Sequence, residues 1–283
     1  MKTGFYGIVT ILLCPPAYAQ GDDFWLLLDA IPATTSSLQL NTGTDFDGGQ
    51  YYGLAASIAL TDVLANTQLY VRANQQHFEI ESSDWSLGLG SNPQKDFSAR
   101  VDYAWSGNSG ELEVREVQLE TTTYINAWHI MLGYQTGEVE VFFRQRLSRR
   151  SALSDRTAVH YGVGWSGSLF YSAVEHRQYD YEKNISAASD NVNLQYRLRP
   201  QALSQATTLA EKTTNLQLGA EGKKYGLEID LSRITSALYL KDSDYLTAMA
   251  THHVSDKFSL VLQVDKPLDD GDSSAGVNLA WRW

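Results

Sequence analysis

The amino-acid sequence predicts an all-β chain: a closed antiparallel transmembrane β-barrel of about 16 strands, any even count from 12 to 16 being compatible. Three observations predict it. The last stretch puts Val277, Leu279, Trp281 and Trp283 on one face and Asn278, Ala280 and Arg282 on the other. That is the period of two expected of a strand, and it stops on a bare aromatic. Segments with the same alternation fill the chain from Ser36 onward. Finally, 16 Tyr and 7 Trp suit a wall with aromatic girdles at two membrane boundaries, while 6 Pro are few, as a sheet requires. No stretch after residue 19 approaches the roughly 18 apolar residues a spanning helix needs. A mean hydropathy of −0.29 is compatible with a wall in which only alternate residues meet lipid.

In chain order, residues 1–19 read as a cleaved signal peptide. Lys2 precedes an apolar run, and Ala17-Tyr18-Ala19 places small residues where a signal peptidase requires them. Cleavage is expected after Ala19. The single cysteine, Cys14, leaves with this segment, so the mature chain has neither disulfide nor thiolate site. The net charge of −11 becomes −12 without Lys2 (−11 − 1), which argues against nucleic acid as a partner. Residues 20–35 include Phe24-Trp25-Leu26-Leu27-Leu28, which do not alternate, and Pro32. They form an N-terminal lead segment, read most simply as an arm on the wall.

The barrel itself occupies 36–283. Ser37 to Asn41 alternates. Tyr52, Leu54, Ala56 and Ile58 alternate with Gly53, Ala55 and Ser57. Leu69, Val71 and Ala73 oppose Tyr70, Arg72 and Asn74, and Trp85, Leu87 and Leu89 oppose Ser86, Gly88 and Gly90. The cleanest strand runs from Phe97 to Trp105, with Arg100 and Asp102 on its polar face. Val139, Val141 and Phe143 are read as facing away from Glu140, Phe142 and Arg144. Further strands follow at Val159–Trp165, Val192–Leu198 and Leu227–Leu231. Turn signals separate them: Asp45 to Gly49, Asn92-Pro93, Gly107 to Gly110, Thr136-Gly137, Ser166-Gly167, Glu221-Gly222, Ser255 to Lys257 and Asp269 to Asp272. Glu111–Asn126 and Arg233–Asp244 are irregular, and Arg199–Lys212 has the composition of a short helix within a loop.

The C-terminal segment resembles the terminal signal strand of Gram-negative outer-membrane β-barrel proteins, with Val277, Leu279, Trp281 and Trp283 as its assembly signal. The resemblance extends over the mature chain only as a general pattern and identifies no subfamily. It implies an outer-membrane location. The implied partners are outer-membrane lipid and lipopolysaccharide and the barrel assembly machinery, and no cofactor is called for. The function expected is porin-like: passive diffusion of small polar solutes. A second reading is a structural or interaction barrel whose loops bind a surface polymer or a partner. A third is a barrel enzyme acting on lipid or peptide.

The residues bear on that choice through their charges. On the polar faces Arg72, Arg100, Asp102, Glu140, Arg144, Arg197, Glu228, Asp230 and Arg282 are expected to line a pore, joined by Arg146 and Arg199. Charges facing a lumen must pair or stay wet. The arginines among them suggest a positive stripe and a preference for anions. No catalytic residue is assigned. His160 has Ser166 and Ser168 nearby but no acidic partner close in sequence, so it reads as a polar lumen residue rather than a base. His77, Glu79 and Glu81 alternate as a weak metal corner, and His252-His253 points its rings to opposite faces. Closure brings the first and last loops together, with Asp45, Asp47, Asp269, Asp270 and Asp272 at one place on the rim. Calcium or magnesium would suit such oxygens, although two solvated acidic turns are the plainer reading.

Overall fold

The computed structural model describes residues 36–45, 49–60, 67–77, 81–91, 97–108, 112–145, 148–182, 209–237, 242–269 and 273–283. The signal peptide, the lead segment, Asp47, Glu79, Arg146, Arg197, Arg199, Asp270 and Asp272 lie outside them, as do the side chains of Asp45 and Arg144.

The described chain forms 14 strands: β1 Ser37–Asp45, β2 Gln50–Ala59, β3 Thr67–His77, β4 Glu81–Ser91, β5 Phe97–Asn108, β6 Leu112–Ile125, β7 Trp128–Gln145, β8 Ser148–Ser166, β9 Phe170–Tyr181, β10 Ala210–Glu221, β11 Tyr225–Ser236, β12 Asp242–Ser255, β13 Phe258–Pro267 and β14 Ser274–Arg282. Each pairs antiparallel with its sequence neighbours, and β1 pairs with β14 to close the barrel. The closing register sets Asn41 opposite Asn278 and Leu40 opposite Leu279. Ser36 and Trp283 exchange two backbone hydrogen bonds of 3.1 Å beyond the last rung. Closure leaves no open edge to pair elsewhere.

The closed antiparallel barrel is the expected one, with 14 strands inside the expected range. Two strands are much longer than the ten residues assumed, β7 with 18 and β8 with 19. Thr136-Gly137, read as a turn, lies in the middle of β7. The turn before it is Asn126-Ala127, where Asn126 takes φ 58°, a left-handed conformation that asparagine tolerates. Glu111–Asn126, irregular as sequence, is largely β6, and Arg233–Asp244 runs from β11 into β12. Of the expected helical stretch, the described end from Ala210 is the start of β10.

A single physical change explains the misreadings on β6 and β7. Near the end carrying Ser36 and Trp283, apolar side chains point outward: Ile130, Leu132 and Tyr134 on β7 are 42 to 58 % exposed. Further along the same strand the phase inverts. Val139 and Val141 are buried inside, while Glu138 and Glu140 occupy the outer face. β6 does the same, with Val117 and Leu119 outward but Leu112 and Val114 inward. From Trp128 to Glu138 there are ten residue steps (138 − 128). At ~3.3 Å each and a tilt of ~40°, they rise about 25 Å, the height of an outer-membrane apolar band. Beyond that height the wall meets water on its outside and buries apolar residues within, as a soluble barrel does.

Candidate functional site

Aromatic residues bracket the apolar outer band. At the terminal end Trp128 pairs in register with Trp165, and Phe258 with Trp281. Trp281 packs edge-on to Trp283, with ring centroids 6.5 Å apart. Toward the loop end Trp85 is the register partner of Trp105 and lies 5.4 Å from the Tyr103 ring. Such rings hold a wall at the level of lipid headgroups.

The candidate site is the inner wall of this barrel, and it is polar through the height of the band. Charged residues on β3 to β9 face one another. Arg72 Nε lies 3.8 Å from Asp84, and Arg100 Nε lies 2.5 Å from Asp102 while its guanidinium covers the Tyr70 ring at 4.8 Å. Arg156 pairs with Glu116 and covers Tyr179 at 4.8 Å. His160 sits between two carboxylates, Nδ1 3.4 Å from Glu120 and Nε2 3.4 Å from Glu175. Pairing is what allows so much charge to be buried, because an isolated buried ion carries a heavy desolvation cost.

Several of these contacts skip a strand. Glu120 on β6 and His160 on β8 are register partners of the same residue, Gly133 on β7. Tyr171 on β9 donates to Glu228 on β11 over Gly219 on β10. A β-carbon on Gly219 would overlap the Tyr171 ring, and one on Gly133 would meet His160 Cβ at 3.2 Å. Neither glycine has a positive φ. What they supply is space for a side chain to cross the wall.

The far side of the ring is more acidic. Glu228 also accepts from Gln217 Nε2 at 2.9 Å. Asp230 is buried two residues along. Asp265 accepts from Thr247, Gln263 and Ser274 at 2.7 to 3.2 Å. At the terminal end Glu221 pairs with His253. A third arc, on β13, β14 and β1, carries carboxamides: Gln263, Asn278, Gln39 and Asn41.

Of the residues expected to line a pore, Arg72, Arg100, Asp102, Glu228 and Asp230 are buried on the inner face, and Arg282 shares the inward phase of β14. Glu140 does not face inward: it stands on the outer face between buried Val139 and Val141, above the point where the β7 phase inverts. Sequence reasoning missed the inward positions of Asp84, Glu116, Glu120, Arg156, Glu175 and Arg177. His160 has its acidic partners after all, but on β6 and β9, 40 and 15 residues away (160 − 120, 175 − 160). The available signal was parity, since Arg156 and His160 share the inward phase of the strand read at Val159–Trp165. The expected positive stripe is absent from the described inner face, where the arginines are matched by carboxylates. His77 Nδ1 lies 3.5 Å from Glu81 at the loop end. Among the described residues no group of three His, Cys, Asp or Glu side chains is arranged to hold a metal.

No family model matches the chain, and no curated protein does. Solved structures do match. The Pseudomonas putida toluene transporter TodX aligns over 90 % of this chain and 91 % of its own, at 9 % identity and a TM-score of 0.50. The KdgM porin aligns over 87 % and 98 %, at 8 % identity and 0.46. Omp33, an outer membrane protein of Acinetobacter baumannii, aligns over 88 % and 98 %, at 8 % identity and 0.46. At such identities the likeness is one of fold alone, a closed β-barrel, and identifies no subfamily.

Proposed function

We propose that this chain is an outer-membrane barrel of a Gram-negative cell that conducts small polar solutes by passive diffusion, exported by a signal peptide cleaved after Ala19. The observation that carries this reading is the division of the wall. An apolar band about 25 Å high lies outside, and paired charges and carboxamides run through the same height inside. A polar interior enclosed by lipid has a role when water-soluble molecules use it. In this reading the end carrying Ser36 and Trp283 is periplasmic, and the strand extensions beyond the band face the medium. Lipid and lipopolysaccharide surround the outer wall, and the assembly machinery engages Val277, Leu279, Trp281 and Trp283. The pore-lining residues are Arg72, Arg100, Asp102, Glu228, Asp230 and Arg282. The mature protein reconstituted in a planar bilayer is expected to produce discrete conductance steps.

One observation favours a second reading, a structural or interaction barrel. Inward side chains are closely covered: Gln68 and Val261 show 0 % exposure, and Tyr70, Met131 and Asn278 show 1 %. A folded, inserted barrel that produces no conductance steps would replace the diffusion reading by this one.

A further inference from the structure

Arg72, Arg100, Arg156 and His160 on the inner wall face carboxylates, and Glu228 and Asp265 accept hydrogen bonds from neutral side chains. The carboxamides on β13, β14 and β1 are less completely bonded. Asn278, 1 % exposed and directed inward, has neither Oδ1 nor Nδ2 hydrogen-bonded. Its register partner on β1, Asn41, has an unbonded Oδ1. Gln39, one inward position along, and Gln263, on β13, each have an unbonded Oε1. Across the ring on β7, seven strands away, Gln135 is 3 % exposed with both amide atoms unbonded. Polar groups shielded from water normally have a partner, and leaving them without one is costly. Here the cost recurs at five carboxamides, four of them on three adjacent strands.

We infer that this carboxamide wall is a subsite for an uncharged, polyhydroxylated solute of the saccharide class. The inference rests on the barrel being a conduit and adds what it selects. A carboxamide offers two N–H donors and two acceptor lone pairs side by side, with no net charge. Adjacent sugar hydroxyls, each both donor and acceptor, match that pair. A simple ion matches only half of it. Among the described residues the inward carboxylates outnumber the inward arginines, so an anionic solute meets repulsion at this wall, whereas a neutral saccharide does not.

The test uses the mature protein in planar bilayers, with maltotriose as the neutral probe and trigalacturonate as the charged one. Binding of both probes to the detergent-folded protein is measured in parallel by calorimetry. The expected result is current block by maltotriose at lower concentration than by trigalacturonate. Asn278→Leu and Gln135→Leu should raise the half-blocking concentration at least tenfold. A conducting channel indifferent to maltotriose, or blocked better by trigalacturonate, overturns the subsite and leaves the conduit standing. Calorimetric binding of maltotriose without conductance, weakened in both variants, keeps the subsite and overturns the conduit. Absence of both conductance and binding overturns both. Should the variants fail to fold, the wild-type preference between the two probes decides alone.

Discussion

Glu116 and Arg156 lie two strands apart and form an ion pair over Gly137, the register partner of both, with Arg156 buried and Glu116 partly so. A β-carbon on Gly137 would meet the Arg115 carbonyl oxygen and the Glu116 Cα. The contact therefore depends on a hydrogen atom in place of a side chain on the intervening strand.

Removing one partner of that pair leaves a buried charge unmatched. Arg156→Ala or Glu116→Ala is expected to destabilise the barrel by about 3 to 5 kcal/mol, whereas replacing both with apolar residues of similar volume should recover most of the loss. Urea unfolding in lipid vesicles measures the cycle. Additive losses in the double variant would show that the two residues are not coupled.

Gly137→Val tests the crossing itself. The obstructing atoms are largely backbone and cannot swing aside, so overpacking should cost about 1 to 3 kcal/mol. Unfolding midpoints equal to wild type would contradict the described packing.

The height at which the alternation inverts sets a depth scale. Leu132 is 58 % exposed within the outer band, and Glu138 lies at its upper limit. Leu132→Arg should cost about 2 to 4 kcal/mol and Glu138→Arg about 0 to 1 kcal/mol. Equal costs in the same vesicle assay would place the membrane boundary elsewhere on β7.

Ion selectivity follows the inner face. Among the described residues five arginines share the inward phase (Arg72, Arg100, Arg156, Arg177, Arg282), against nine carboxylates (Asp84, Asp102, Glu116, Glu120, Glu175, Glu221, Glu228, Asp230, Asp265). A conducting barrel should prefer cations, the reverse of what the arginines alone suggested. The double change Glu228→Gln, Asp230→Asn should reduce the preference. A reversal potential showing anion selectivity in the wild type would reject it.

Assembly should depend on the chain end. Trp283 closes the last rung through its backbone bonds to Ser36 and packs against Trp281. Trp283→Asp is expected to deplete the folded protein from the outer-membrane fraction. Normal levels of heat-modifiable protein in that fraction would argue against a role for the terminal aromatic.

The fold class was legible in the sequence because alternation is local. Phe97 to Trp105 and Val277 to Trp283 each display their own two faces, and lipid outside with water or polar groups inside makes those faces chemically distinct. Where the surroundings change along one strand, local reading loses its reference. Val139 and Val141 alternate as regularly as Leu132 and Tyr134, and only their height on the wall reverses which face carries the apolar side chains.

By itself the sequence determined that this chain is a sheet-forming barrel, and which face of most strands is apolar, because those properties reside in residues two apart. The partners on the inner wall were decided only by the tertiary structure. His160 meets Glu120 because β7 intervenes with a glycine, and Asn278 faces Asn41 because β14 closes on β1. Those relationships depend on register and shear, which are set by closure of the whole sheet and leave no mark at any one position.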